Sequence, residues 1–272
     1  VTTFVLVPGA WHGAWVFQPL ARDIREHGHQ AYALTLTGVG DRKHLLTASV
    51  NLDTHIQDVV NLLEDEQITD AVLVGHSYGG MVITGAADRA RHRVRGLVYV
   101  DALLPRDGES CWSLVTDRER EWYLGGVGRD GYTSEPLPFF DPRATPHPLA
   151  SLMQVVRLED GLDRFERRDF VYATAWEGGS PFQAVHRRLS NDPAWHVHSV
   201  ASGHNVMRDA PGELLKILLD AAPESTTDAF RPGRCVGPDS RFGGVALPAG
   251  PTLGGGDPRA AVEVLATADG RD

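Results

Sequence analysis

Cysteine is almost missing from this chain. Cys111 and Cys235 are the two in 272 residues, too few for a disulfide framework. No cluster of cysteines and histidines has the close spacing of zinc ligands, and the twelve histidines are scattered, so no structural metal is expected. Positive charge is also in short supply. The net charge of −10 argues against nucleic acid or an anionic membrane surface as partner. No apolar run approaches the roughly 18 residues that span a bilayer. Val1 to Val7 already reads as a strand, with no basic-then-apolar leader ahead of it, and a cytoplasmic location is the expectation. There is no internal repeat.

What is present has the composition of an ordinary soluble domain, 42% hydrophobic and 23% charged. Strand-like and helix-like segments alternate. Strands are predicted at Thr3 to Val7, Gln30 to Leu34, Ala71 to Val74, Gly96 to Val100, Phe170 to Thr174 and His196 to Val200. Helices are predicted at Trp15 to His27, Asn51 to Glu66, Met81 to Ala87, Phe182 to Ser190 and Pro211 to Ala221. That alternation implies an α/β fold, a mostly parallel sheet with helices on both faces and catalytic loops at the carboxyl ends of the strands. The predicted domain is 1–222, interrupted by an irregular insertion over about 105–168. This insertion carries Trp112, Trp122, Tyr123, Tyr132, Phe139 and Phe140 and has the length of a lid or cap over an apolar pocket. Residues 223–272 hold nine glycines and six prolines without sustained periodicity, and a disordered tail is expected there.

The sharpest signal is Gly75-His76-Ser77-Tyr78-Gly79-Gly80, set between an apolar strand and a helix of small residues. It has the pattern of a nucleophile elbow, with Ser77 at the apex and glycines where side chains would strike the neighbouring strand or helix. A serine hydroxyl is a weak nucleophile and needs a base, and the base needs a group to orient it. His204 fits as the base, because it follows the strand His196 to Val200 on a loop at the correct edge of the sheet. His196 and His198 alternate within that strand as structural residues, and the His76 side chain is expected to point away from the apex. Two acids compete to orient the base: Glu177, preferred, on the loop after Phe170 to Thr174, and Asp101, at the end of Gly96 to Val100. Backbone N–H groups of Tyr78 and of Ala10, in the loop Pro8 to Gly13, are the predicted donors to an oxyanion, with His12 as a possible brace of that loop.

The motifs Val5-Leu6-Val7-Pro8-Gly9-Ala10-Trp11-His12-Gly13, the elbow, Val98-Tyr99-Val100-Asp101-Ala102-Leu103-Leu104-Pro105 and Gly203-His204 resemble the α/β-hydrolase superfamily. They are most similar to its branch of plant methylesterases, hydroxynitrile lyases and bacterial pyrethroid-hydrolase-like carboxylesterases. The resemblance spans about residues 1–222. It implies the α/β-hydrolase fold with a cap, a triad and no cofactor; the expected small-molecule substrate is a small to medium apolar ester, with a methyl ester or a lactone as the candidates. Two departures stand out. Where the family usually carries an aspartate, this chain has Ala175-Trp176-Glu177, and where the lyases carry a lysine and a threonine, it has Asn205 and Gly9. Serine-dependent ester hydrolysis is therefore preferred over a lyase or cyclase using the same Ser–His pair, and over a ligand-binding protein with little turnover.

Overall fold

A computed structural model describes residues 1–176 and 180–222. Its centre is a six-stranded sheet formed by β1 (Thr3–Val7), β2 (Gln30–Ala33), β3 (Ala71–His76), β4 (Val94–Val100), β7 (Arg167–Ala173) and β8 (His196–Val200), in the order β2-β1-β3-β4-β7-β8. Every pairing between neighbours is parallel.

Side-chain alternation sorts the sheet into two cores. Phe4 and Leu6 of β1, Val72 and Val74 of β3, and Val98 and Val100 of β4 face one side. There they meet Leu20 and Ile24 of α1 (Gln18–Glu26) and Leu214 and Leu218 of α9 (Pro211–Ala221). Val5 and Val7, Leu73, and Leu97 and Tyr99 face the other, against α2 (Leu52–Asp65) and α3 (Gly79–Arg89). Burial on both faces explains why these strands read as continuous apolar runs. A Cβ on Gly85 would run into Ile56, so that glycine allows α2 and α3 to pack closely.

The predicted helix Trp15 to His27 is shorter than expected. A 3-10 turn, Ala14–Val16, precedes α1, and Pro19 sits in the first turn of α1, where its missing N–H costs no hydrogen bond. The insertion is also more regular than its sequence suggests. It contains α4 (Cys111–Leu114), α5 (Asp117–Gly125), the antiparallel pair β5 (Thr133–Ser134) and β6 (His147–Pro148), and α6 (Leu149–Met153). After β7 come α7 (Gln183–Leu189), β8 and α8 (Val206–Asp209). The tail expected at 223–272 lies outside the described residues. Among the described residues, no helix is long and apolar enough to cross a membrane.

The chain runs from β1 outward to β2, then returns past β1 to β3. That reversal opens a crevice at the carboxyl ends of β1 and β3, where open α/β sheets bind ligands. The loop 8–13 and Ser77 both sit at this edge.

Candidate active site

Among the described residues, five non-glycine residues have a left-handed backbone, and three of them, Trp11, Ser77 and Asp101, lie just past the ends of β1, β3 and β4. Strain of this kind, about 1–3 kcal/mol per residue, collects at functional sites. Ser77 has φ 54° at the junction of β3 and α3. The glycines around it have the clearance role expected of them. A Cβ on Gly75 would lie 2.7 Å from the carbonyl oxygen of Gly79, and one on Gly79 would lie 2.5 Å from that of Val7. A Cβ on Gly80 would run into the carbonyl oxygen of Leu103. The elbow is also strapped to the turn after β4, since the Leu103 N–H donates to the Ser77 carbonyl at 3.0 Å and the Ser77 N–H to that of Val100 at 3.3 Å.

That turn carries Asp101, which is fully buried. Its Oδ2 accepts from His204 Nδ1 at 2.7 Å and from Trp176 Nε1 at 2.7 Å, while Oδ1 accepts from the Ala173 N–H at 3.2 Å. An ionised carboxylate only accepts, so the His204 proton sits on Nδ1 and the Nε2 lone pair is left for another partner. The imidazole is held by its surroundings. The Trp176 ring lies 4.8 Å from it and the Phe182 ring stacks at 5.9 Å and 13°. His76 lies on a further side at 4.5 Å, and its Nε2–H donates to the His204 carbonyl at 3.0 Å. Burial holds His76 well below the usual imidazole range, so it is neutral, with an Nδ1 that has no partner among the described residues. Through its bond to the His204 carbonyl, His76 links the end of β3 to the loop bearing the base. Glu177, the preferred acid, lies outside the described residues. Among the described residues, Ser77 Oγ makes no hydrogen bond, to His204 or to any other group.

The loop after β1 reaches Ser77 because Gly9 permits it: a Cβ there would be 2.9 Å from the Ser77 Cβ. Ala10 and Tyr78 are buried, and among the described residues neither backbone N–H has a hydrogen-bond partner. Buried N–H groups are rarely left unpaired, and the Tyr78 N–H belongs to the residue that directly follows Ser77. Tyr78 is also the N-cap of α3, at the positive end of the helix dipole. His12 Nδ1–H donates to the Ala10 carbonyl at 2.7 Å, which makes it a brace of the loop, and burial lowers its pKa.

The cap reaches into the same loop. The N–H of Trp11 donates to His147 Nδ1 at 3.2 Å, its indole N–H donates to the Ser134 carbonyl at 2.8 Å, and its carbonyl accepts from the Thr145 N–H at 3.0 Å. Trp11 therefore joins β1's loop to β5 and β6. On the other side His55 Nε2–H donates to the Thr37 carbonyl, leaving Nδ1 to accept from the Tyr78 hydroxyl at 2.9 Å. Burial pushes His55 down to about 4 and His147 well below its ordinary value. Neither histidine stands out in the sequence, and the 136 positions between Trp11 and His147 hide their contact. Of the expected pocket aromatics, Tyr123 and Phe140 pack on Trp11, whereas Phe139 is 74% exposed.

Burial pushes the Cys111 thiol up to about 12. Among the described residues no group of three or more His, Cys, Asp or Glu side chains could hold a metal ion.

Comparison with known proteins settles the family. The description of the matching family model is "Alpha/beta hydrolase family", and the match covers residues 4–224. The chain belongs to that family. It is similar to the carbendazim hydrolyzing esterase of Nocardioides sp. (strain SG-4G), 36% identical over 239 residues, covering 80% of this chain and 98% of that protein. It is 29% identical over 175 residues to methylesterase 2 of Arabidopsis thaliana, covering 58% of this chain and 64% of the relative. Among solved structures, an extracellular alpha/beta-hydrolase from a Paenibacillus species superposes with a TM-score of 0.71 at 22% identity, covering 82% of this chain and all of that one. The structural likeness supports the fold alone.

Proposed function

We propose that this α/β hydrolase is a serine carboxylesterase in which Ser77, His204 and Asp101 form the triad. Ester hydrolysis as the broad activity fits the esterase and methylesterase relatives. The observation that carries the finer reading is the 2.7 Å bond from His204 Nδ1 to a fully buried carboxylate at the edge of the sheet where the elbow presents its serine.

Ser77 Oγ attacks the ester carbonyl and His204 Nε2 takes its proton; the histidine must be neutral to do so. Asp101 keeps the other ring proton on Nδ1 and faces the imidazolium as it forms. The unpaired N–H groups of Ala10 and Tyr78 receive the oxyanion, and losing one such donor typically costs about 3–4 kcal/mol of transition-state stabilisation. His204 then returns the proton to the departing alcohol. Water, deprotonated by the same imidazole, releases the acid from the acyl-enzyme. The ester is a methyl ester of an apolar acid. Support comes from the methylesterase relative and from the Trp11, Tyr123 and Phe140 cluster beside the oxyanion loop.

The lyase alternative fits the site less well. A threonine at position 9 would carry its Cβ into Ser77, and Asn205 supplies no cation after His204.

A panel of methyl, longer alkyl and aryl esters, with carbendazim included, tests the reading when run beside Ser77→Ala. Acid and alcohol should appear with the wild type, and the variant should lose about six orders of magnitude in kcat. Turnover that survives in Ser77→Ala, or carbonyl products in place of acid and alcohol, would contradict it.

A further inference from the structure

We propose that Trp176 is a positioning residue for the reaction: its indole N–H holds the carboxylate of Asp101 in the orientation that meets His204. This rests on the reading of Asp101 as the triad acid and extends it to a residue that acts through that carboxylate.

Oδ2 of Asp101 carries two short bonds at once, from Trp176 Nε1 and from His204 Nδ1, each 2.7 Å long. Oδ1 has the longer bond, 3.2 Å, from the Ala173 N–H. A carboxylate turns readily about its last torsion, and a single backbone donor on the opposite oxygen does not fix that rotation. A second strong donor on Oδ2 does. The indole is itself placed by the backbone, because β7 and β8 stay paired beyond their ends. The Thr174 N–H donates to the Val200 carbonyl at 2.9 Å and the Ala175 N–H to the Ser202 carbonyl at 3.0 Å. Trp176 and His204 therefore rise from two adjoining segments locked in register, and their rings meet at 4.8 Å.

The loop after β7 is where the family resemblance places an acid. In this chain that loop sends a donor to an acid from the neighbouring strand. Both arrangements serve the same imidazole nitrogen. A neutral donor also differs from a cation here, since it orients Asp101 without neutralising it, and the full negative charge still faces the imidazolium. Among the described residues, His204 is faced by Asp101, the neutral His76 and the ring faces of Trp176 and Phe182, and His12 lies near enough to couple with it.

Trp176→Phe keeps an aromatic ring against His204 and removes the N–H. Because imidazolium forms only after substrate binds, kcat should fall about ten-fold with KM nearly unchanged. In an Asp101→Asn background the same substitution should add almost nothing, since both changes act through one contact. Unchanged kcat, a loss confined to KM, or full additivity with Asp101→Asn would overturn the proposal. If Asp101→Asn by itself leaves turnover intact, the triad assignment fails instead, so the two failures are distinguishable. Should Trp176→Phe not fold, the six tryptophan indole N–H proton signals of the wild type and Asp101→Asn can be compared by NMR. One signal should move upfield when the carboxylate becomes an amide. No movement would overturn the proposal.

Discussion

Asp101 and Asp169 are both fully buried, stand on or just past neighbouring strands, and each bonds a histidine at nearly the same distance, 2.7 Å to His204 and 2.8 Å to His198. Their other partners differ. Asp169 also takes two bonds from Arg167, at 2.6 and 2.8 Å, whereas Asp101 takes neutral donors from Trp176 and Ala173. A carboxylate already matched to a guanidinium has little field left for a histidine that gains a proton. One bonded by neutral groups keeps its charge for that moment. Location follows the same division. Asp169 lies within β7, opposite Val98, while Asp101 sits in a strained turn strapped to the elbow. An Asp–His bond alone therefore does not mark a catalytic pair. The charge state of the remaining partners and the distance from the sheet's carboxyl edge favour Asp101 over Asp169 for the proposed triad.

The largest expected separation between the two pairs is in turnover. Asp101→Asn should lower kcat by about 10⁴, as the wrong histidine tautomer does, while Asp169→Asn stays near wild type. Steady-state kinetics on the preferred ester reads both, and equal losses would break the comparison. Stability should rank the other way. Asp169→Asn leaves Arg167 facing a buried site without its carboxylate, a loss of about 3 kcal/mol, or roughly 6–12 °C in melting temperature. Arg167→Met sharpens the contrast from the other side: it takes the guanidinium away from the fully buried Asp169, a comparable loss of about 3 kcal/mol, with turnover unchanged. A drop in kcat for that variant would show that Asp169 communicates with the site.

The buried histidines without carboxylates supply a third class. His55, His76 and His147 all have pKa values lowered from 6.5 by burial, His55 to about 4. The unfolded chain binds more protons than the folded one below 6.5, so stability is fully present above that pH and declines as pH falls toward 4. Each such group contributes a slope of about 1.4 kcal/mol per pH unit within its window. Melting curves from pH 7 to 4 should show this decline, and His55→Gln should make it shallower. A melting temperature that stays constant over that range would contradict the neutral assignments.

Much of the fold was legible because strands buried on both faces leave unmistakable apolar runs and the elbow needs glycines at fixed offsets. Gly75 and Gly79 occupy positions where a side chain would strike backbone. Asp101 and Glu177 were not separable from sequence, because both follow strands that end on the catalytic edge and spacing does not say which carboxylate turns inward. Trp176 was hidden for the same reason. The cap was read as irregular because its helices are four to nine residues long, too short for periodicity to show. Its local signals were present all the same: Thr116 and Glu119 have the three-residue offset of a capping box, and Glu119 accepts from the Thr116 N–H at 2.8 Å. The contact between Trp11 and His147 joins segments far apart in the chain and belongs to tertiary packing alone.

The reactivity of Ser77 toward a fluorophosphonate, followed by intact-protein mass spectrometry in wild type and His204→Gln, bears most directly on the chemistry. One label per chain should attach quickly in the wild type, and the variant should react slower by about 10² to 10⁴. Labelling at the same rate in both proteins would mean that this histidine does not activate that hydroxyl.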